Sequence, residues 1–139
     1  MSFSQSVKYC LNHYASFDGR ASRSEFWWFY LFCGLVSGIP IMIAAIFMGL
    51  GTETSYYGDI HYSGVAVFGF ILYGISALIS LAFFIPLLAV GCRRLHDRGT
   101  SGWLQLLLMV PCANFVVLVF WLLEGTSGPN AYGDGPAKI

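Results

Sequence analysis

Residues 60–92, IHYSGVAVFGFILYGISALISLAFFIPLLAVGC, contain no Asp, Glu, Lys or Arg. A helix rises about 1.5 Å per residue and needs roughly 20 apolar residues to cross about 30 Å of hydrocarbon, so this stretch is long enough to span a bilayer. Two further charge-free stretches, 26–52 and 99–123 without Arg98, flank it on either side. The chain has 139 residues, of which 57% are hydrophobic and only 10% charged. A soluble domain would carry about 25% charged residues. Composition therefore predicts an all-α membrane protein, built as a single membrane domain over residues 1–139.

Working outward, helix boundaries follow from turn and cap chemistry. Ser22-Arg23-Ser24-Glu25 reads as a capping box, which starts the first transmembrane helix at Ser22 and runs it to Leu50. Phe26, Trp27, Trp28 and Tyr30 form an interfacial aromatic belt, and Pro40 should bend the helix. Residues 51–64, rich in Gly, Ser, Thr and Tyr, read as a loop. The second transmembrane helix spans 65–91, with a kink at Pro86, and an Arg-rich cytoplasmic loop occupies 92–102. The third apolar stretch covers 103–123. Pro111 and Asn114 interrupt it, so it is either a kinked third span or a re-entrant pair of half-length pieces, which lipid tolerates only where protein covers the freed backbone groups. The tail 124–139, rich in Gly and Pro, reads as extended or turning.

Ahead of the spans, Phe3, Val7, Cys10, Leu11, Tyr14 and Phe17 recur at spacings of three and four. That pattern predicts an amphipathic helix over 3–17, too polar to cross and suited to the headgroup region. A helix packed on a partner subunit would show the same pattern. Lys8, Arg20 and Arg23 precede the first span, and Arg93, Arg94 and Arg98 follow the second, whereas the intervening loop has no Lys or Arg. The N-terminus and the Arg string are therefore expected on the cytoplasmic side of a multi-pass protein; three full spans would put the C-terminus outside. Lys138 is too distant to settle that side.

The seven basic and seven acidic residues balance, which argues against general binding of nucleic acid. Cys10, Cys33, Cys92 and Cys112 show no CxxC pair and no His at zinc spacing, so they read as small apolar side chains, and neither a metal nor a cofactor is expected. No small-residue cleavage site follows the first apolar run, so it is expected to stay as an anchor rather than be removed.

Three blocks resemble one family: residues 17–28 (FDGRASRSEFWW), 93–103 (RRLHDRGTSGW) and 128–136 (GPNAYGDGP). Together they resemble the bacterial inner-membrane family known as domain-of-unknown-function family 805. Ala113-Asn114 after Pro111-Cys112 departs from the family, which more often has an apolar residue and Gly there. The resemblance implies a small polytopic protein of the bacterial plasma membrane and brings no catalytic residues.

The site candidates follow from charge and spacing. Asp18, Glu25, His96 and Asp97 should form an interface network with Arg20, Arg23, Arg93, Arg94 and Arg98. The arginines are alternatively candidates for holding the phosphates of membrane lipids, anionic ones among them, because guanidinium binds phosphate in a bidentate way. Gly34-x-x-x-Gly38 and Ser76-x-x-x-Ser80 are candidate faces for close helix packing. His96 beside Asp97, with Ser101 or Cys92 as nucleophile, is the weaker enzymatic reading, since adjacent residues seldom place an imidazole on its carboxylate and no GxSxG elbow is present; a metal site on His13, His96 and Asp97 would need long-range folding. An oligomeric small-solute transporter or channel is the alternative, with Asn114 as its polar contact, although the spans lack intramembrane charge. The sequence therefore favours a non-enzymatic interaction or lipid-contacting protein, as a homo-oligomer or with a membrane-protein partner.

Overall fold

The computed structural model describes residues 1–136; the last three, Lys138 among them, lie outside the described residues. Four α-helices dominate: α1 (Phe3–Asn12), α2 (Arg23–Leu50), α3 (Gly64–Asp97) and α4 (Asn114–Leu122). A two-stranded hairpin, β1 (Thr52–Thr54) and β2 (Ile60–Tyr62), joins α2 to α3, and a 3-10 helix, Gly102–Met109, precedes α4. The helices α2 and α3 are long and apolar enough to cross a membrane. Met42, Ile46, Leu78 and Leu81 are more than half exposed along them. A core helix of a water-soluble protein would bury such residues; here hydrocarbon is the solvent that receives them.

Ser2 caps α1, its hydroxyl accepting from the Gln5 amide while Gln5 Oε1 accepts from the Ser2 N–H at 2.8 Å. The helix stops at Asn12, five residues short of the predicted end. His13 Nδ1 lies 2.9 Å from the Tyr9 carbonyl, satisfying a last-turn acceptor without a further helical turn. Ser6 and Cys10 form the buried stripe of α1, whereas Phe3, Leu11, Tyr14 and Phe17 are exposed. In α2, the Glu25 amide donates to Ser22 Oγ at 3.1 Å, one half of the expected capping box, while the Glu25 carboxylate turns to Arg93 instead of reaching back.

The chain divides into two compact units, Met1–Phe32 with Phe84–Ile139, and Cys33–Phe83. In the second, the expected loop is a hairpin pairing Thr52 with Tyr62 and Thr54 with Ile60. Gly58, at φ +87°, takes the left-handed position of its turn. The close approach of backbones expected at Gly34 and Gly38 is found elsewhere, because a Cβ on either would meet nothing within 4 Å. Gly69 is the tight position, where a Cβ would lie 2.8 Å from the Met48 amide and 2.9 Å from the Ala44 carbonyl. Ser76 and Ser80 turn their hydroxyls back to their own helix, onto the Leu72 and Ser76 carbonyls.

In the first unit, α3 does not end at Gly91. It continues through Arg93, Arg94 and His96 to Asp97, so most of the predicted 92–102 loop is helix. The basic residues of this last turn suit the helix C-terminus. Gly99, at φ +71°, then stops it: the Thr100 amide bonds the Leu95 carbonyl and the Gly99 amide bonds the His96 carbonyl, a Schellman motif.

The third apolar stretch forms no continuous helix. The 3-10 helix ends at Val110, which is extended as a residue before proline must be, and Cys112 turns the chain at φ +69°. Neither piece, eight and nine residues long, could cross the hydrocarbon alone. Both are tied to the same turn of α3: Gln105 Nε2 donates to the Leu88 carbonyl at 3.0 Å and Trp121 Nε1 to the Gly91 carbonyl at 3.2 Å. Gly91 makes room for both, since a Cβ there would lie 2.8 Å from Gln105 Nε2.

Cys112 holds the left-handed conformation with a Cβ, which costs roughly 1–2 kcal/mol for a residue other than glycine. Cys112→Gly is expected to raise the thermal midpoint of the purified protein in detergent, with a gain of about 1 kcal/mol. A lowered midpoint would contradict the strain at this turn.

Candidate functional site: an ion-locked helix end beside an apolar cavity

Helical periodicity at the end of α3 places Arg94 and Asp97 on one face, three residues apart. Asp97 is 3% exposed and receives two guanidinium groups, with Oδ1 2.9 Å from Arg20 Nε and Oδ2 2.5 Å from Arg94 Nη1. One carboxylate cannot balance two buried cations, and backbone carbonyls supply the remaining acceptors. Arg20 donates to the carbonyls of Thr126 (2.7 Å), Gly128 (2.6 Å) and Gly133 (3.2 Å). Arg94 donates to the carbonyls of Trp121 (3.1 Å), Ala21 (3.4 Å) and Leu123. The tail closes the arrangement from its own side, the Thr126 amide bonding the Asp97 carbonyl at 2.9 Å and Asn130 Nδ2 the His96 carbonyl at 3.0 Å. At Gly125 a Cβ would fall on the Asp97 carboxylate, so only glycine fits.

A second buried pair stands beside the first. Arg93 Nη1 lies 2.6 Å from Glu25 Oε1, with Cys10 Sγ within 4 Å of both groups. Glu25 Oε2 and Arg93 Nε are buried with no hydrogen-bond partner among the described residues. The Arg93 guanidinium also rests 5.5 Å over the Tyr9 ring.

These contacts revise the predicted roles. Arg20, Arg93 and Arg94 were candidates for lipid phosphate, but all three are buried and spent on protein acceptors. The exposed remainder is Arg23, paired with Glu124 at 2.6 Å, and the half-buried Arg98, which donates to the Glu124 carbonyl and lies 5.8 Å from the Phe120 ring. The sequence put His96 next to Asp97 as base and orienting carboxylate, and the structure does not join them. His96 Nδ1 donates to the Gly19 carbonyl at 3.2 Å, while Asp97 is committed to the arginines. A carbonyl can only accept, so the proton sits on Nδ1 and Nε2 is left as an acceptor, 3.5 Å from Cys92 Sγ. The Cys92–His96 contact depends on the helix continuing past Gly91, and the four-residue spacing was the one signal in the sequence that could have found it.

Beside this network lies a cavity of about 710 Å³. Phe84, Leu88, Cys92 and His96 form one wall as a single stripe, four residues apart along α3 and running from apolar to polar over about 18 Å. Leu106, Leu108 and Met109 of the third stretch also line it, with Gln105 at the level of Leu88 and Ser101 next to Gly102, which abuts Cys92 and His96. Tyr132 of the tail stacks on His96, ring centroids 3.9 Å apart and planes 4° apart. Gly102 cannot be replaced without moving Cys92, since a Cβ there would overlap Sγ.

Two long apolar helices, a broken apolar segment folded back on one of them and a buried ion cluster at their polar end define a helical integral membrane protein. The chain belongs to the family described as protein of unknown function DUF805, whose model matches residues 14–134. It is 40% identical over 127 residues to inner membrane protein YhaI of Escherichia coli (strain K12), covering 91% of this chain and 90% of that protein. It is also 34% identical over 127 residues to inner membrane protein YhaH of the same organism, covering 91% of each. No solved structure matches. The chain is thus a bacterial inner-membrane protein.

Removing one member of a buried ion cluster leaves the others uncompensated, at a cost of about 3–5 kcal/mol, whereas an exposed pair contributes about 0–1 kcal/mol. Asp97→Ala is therefore expected to abolish or strongly depress the cooperative unfolding transition in detergent, and Arg23→Ala to leave it nearly unchanged. Equal effects of the two would show that burial does not govern the network.

Proposed function

We propose that this protein is a non-enzymatic membrane component that holds an apolar molecule in the cavity beside α3, the ion network keeping the cavity walls in place. The observation that carries this reading is the cavity itself: its volume falls in the range of ligand sites, and its wall is mainly apolar with a few polar groups gathered at one end. Against the predicted pairing of His96 with Asp97 stands the commitment of the Asp97 carboxylate to Arg20 and Arg94.

The reading includes a topology. The helices α2 and α3 cross the membrane, α1 lies in the headgroup region with Phe3 and Leu11 toward lipid, and residues 103–123 re-enter rather than span. Support for re-entry comes from Gln105 and Trp121, near opposite ends of that stretch, bonding carbonyls only three residues apart on α3. The C-terminal tail would then share the side of Arg20, and the Lys and Arg distribution makes that side cytoplasmic. Any contact with anionic lipid falls to Arg23 and Arg98, the latter with Nε buried and unpartnered.

Two measurements test this. Reporter fusions should place a C-terminal fusion in the cytoplasm and an insertion at Gly58 in the periplasm; a periplasmic C-terminus would restore three full spans. Native mass spectrometry of the detergent-purified chain should find one retained apolar molecule, lost in Leu88→Trp, which fills the cavity. Identical spectra for the two proteins would remove the cavity as its location.

A further inference from the structure

The geometry points to an amphiphile with a protonated amine head as the molecule this cavity takes. This deepens the reading that the cavity is a ligand site and rests on it. The argument is one of charge and order along α3. The stripe from Phe84 to His96 is apolar at its deep end and polar at its cytoplasmic end, so an occupant must itself be apolar at one end and polar at the other.

The head group is selected by what stands at the polar end. Among the described residues lining the cavity, Asp18 carries the one carboxylate, and there is no Lys or Arg. Asp18 is exposed and has no ion-pair partner within 4.0 Å among the described residues, although five arginines lie in the same unit. His96, 92% buried, has its proton fixed on Nδ1 by the Gly19 carbonyl and keeps only the Nε2 lone pair on the side of Cys92. Phe17, next to Asp18 in the chain, and Trp103 both line the cavity while exposed, which puts them at its rim. A carboxylate and aromatic rings lining one cavity can attract an ammonium through charge and through the ring quadrupoles. The same surroundings disfavour a head that is anionic overall, such as a fatty carboxylate, because the guanidinium groups of Arg20, Arg93 and Arg94 are turned into Asp97 and Glu25. Two sources carry this chemistry: the amine of a phosphatidylethanolamine headgroup and a free long-chain amine.

The test uses the full chain in maltoside detergent at neutral pH, with native mass spectrometry as the readout. Hexadecylamine, hexadecanol and hexadecanoate share one chain and differ in head charge. The amine adduct is expected to exceed the carboxylate adduct by about tenfold, with the alcohol between them. Asp18→Asn, at an exposed and unpaired position, should level the three while keeping the alcohol adduct. In a second arm phosphatidylethanolamine is offered against phosphatidylglycerol. Preferential retention of the former identifies a lipid headgroup, and retention of hexadecylamine alone identifies a free amine. Equal binding of the three probes, preference for the carboxylate, or an amine preference unchanged in Asp18→Asn would overturn the assignment while leaving the cavity as an apolar site. Absence of any adduct would overturn the cavity reading as well.

Discussion

Asp97 sits between two guanidinium groups where water does not reach, and the rest of the first unit is arranged to make that tolerable. A buried carboxylate with two arginines carries an excess of positive charge, and burial of charge is expensive unless every donor finds an acceptor. The acceptors are carbonyls from parts of the chain remote in sequence: Ala21 before α2, Trp121 and Leu123 at the end of α4, and Thr126, Gly128 and Gly133 in the tail. Carbonyls are free to serve because those segments are turns and helix ends, whose backbone groups lack internal partners. A tail rich in Gly and Pro, poorly suited to a helix, is thereby well suited to wrapping a cation.

The same constraint accounts for the glycines that matter. Gly125 passes directly over the Asp97 carboxylate, and Gly91 lets Gln105 and Trp121 reach the carbonyls of α3. These side-chain bonds fasten the broken segment to a spanning helix, which is how lipid can accept a backbone interrupted at Pro111 and Cys112. The fastening leaves a gap between α3 and the 3-10 helix, and that gap is the cavity. An ion cluster that holds the walls and an apolar space between them are therefore two results of one packing solution.

Several features were legible in the residues. The charge-free stretches gave the two long helices, Ser22 gave the start of α2, and the Pro111 interruption announced a break. The stop signal for α3 is also present, as Arg98-Gly99 after a run of basic residues, beyond the end of the apolar run at Gly91. Polarity is no boundary where the backbone needs none: Arg and Leu are good helix formers, and only Gly99 demands a left-handed turn. The hairpin is hidden for the opposite reason, since three-residue strands offer too short a period to stand out among Gly, Ser and Tyr.

What the sequence determined by itself was the solvent and the long helices, because hydrophobic transfer is additive along the chain and needs no knowledge of neighbours. The roles of individual charged residues were decided only by tertiary structure. Arg20, Arg23, Arg93, Arg94 and Arg98 are chemically alike, and composition treats them as one basic cluster facing the membrane surface. Burial separates them, since the electrostatic environment of a guanidinium depends on which carboxylate and which carbonyls are brought within about 3 Å, and for Arg20 and Arg93 those come from 68 to 113 residues away. Asp18 stands apart for the same reason, without an ion-pair partner among the described residues because folding directs the arginines elsewhere.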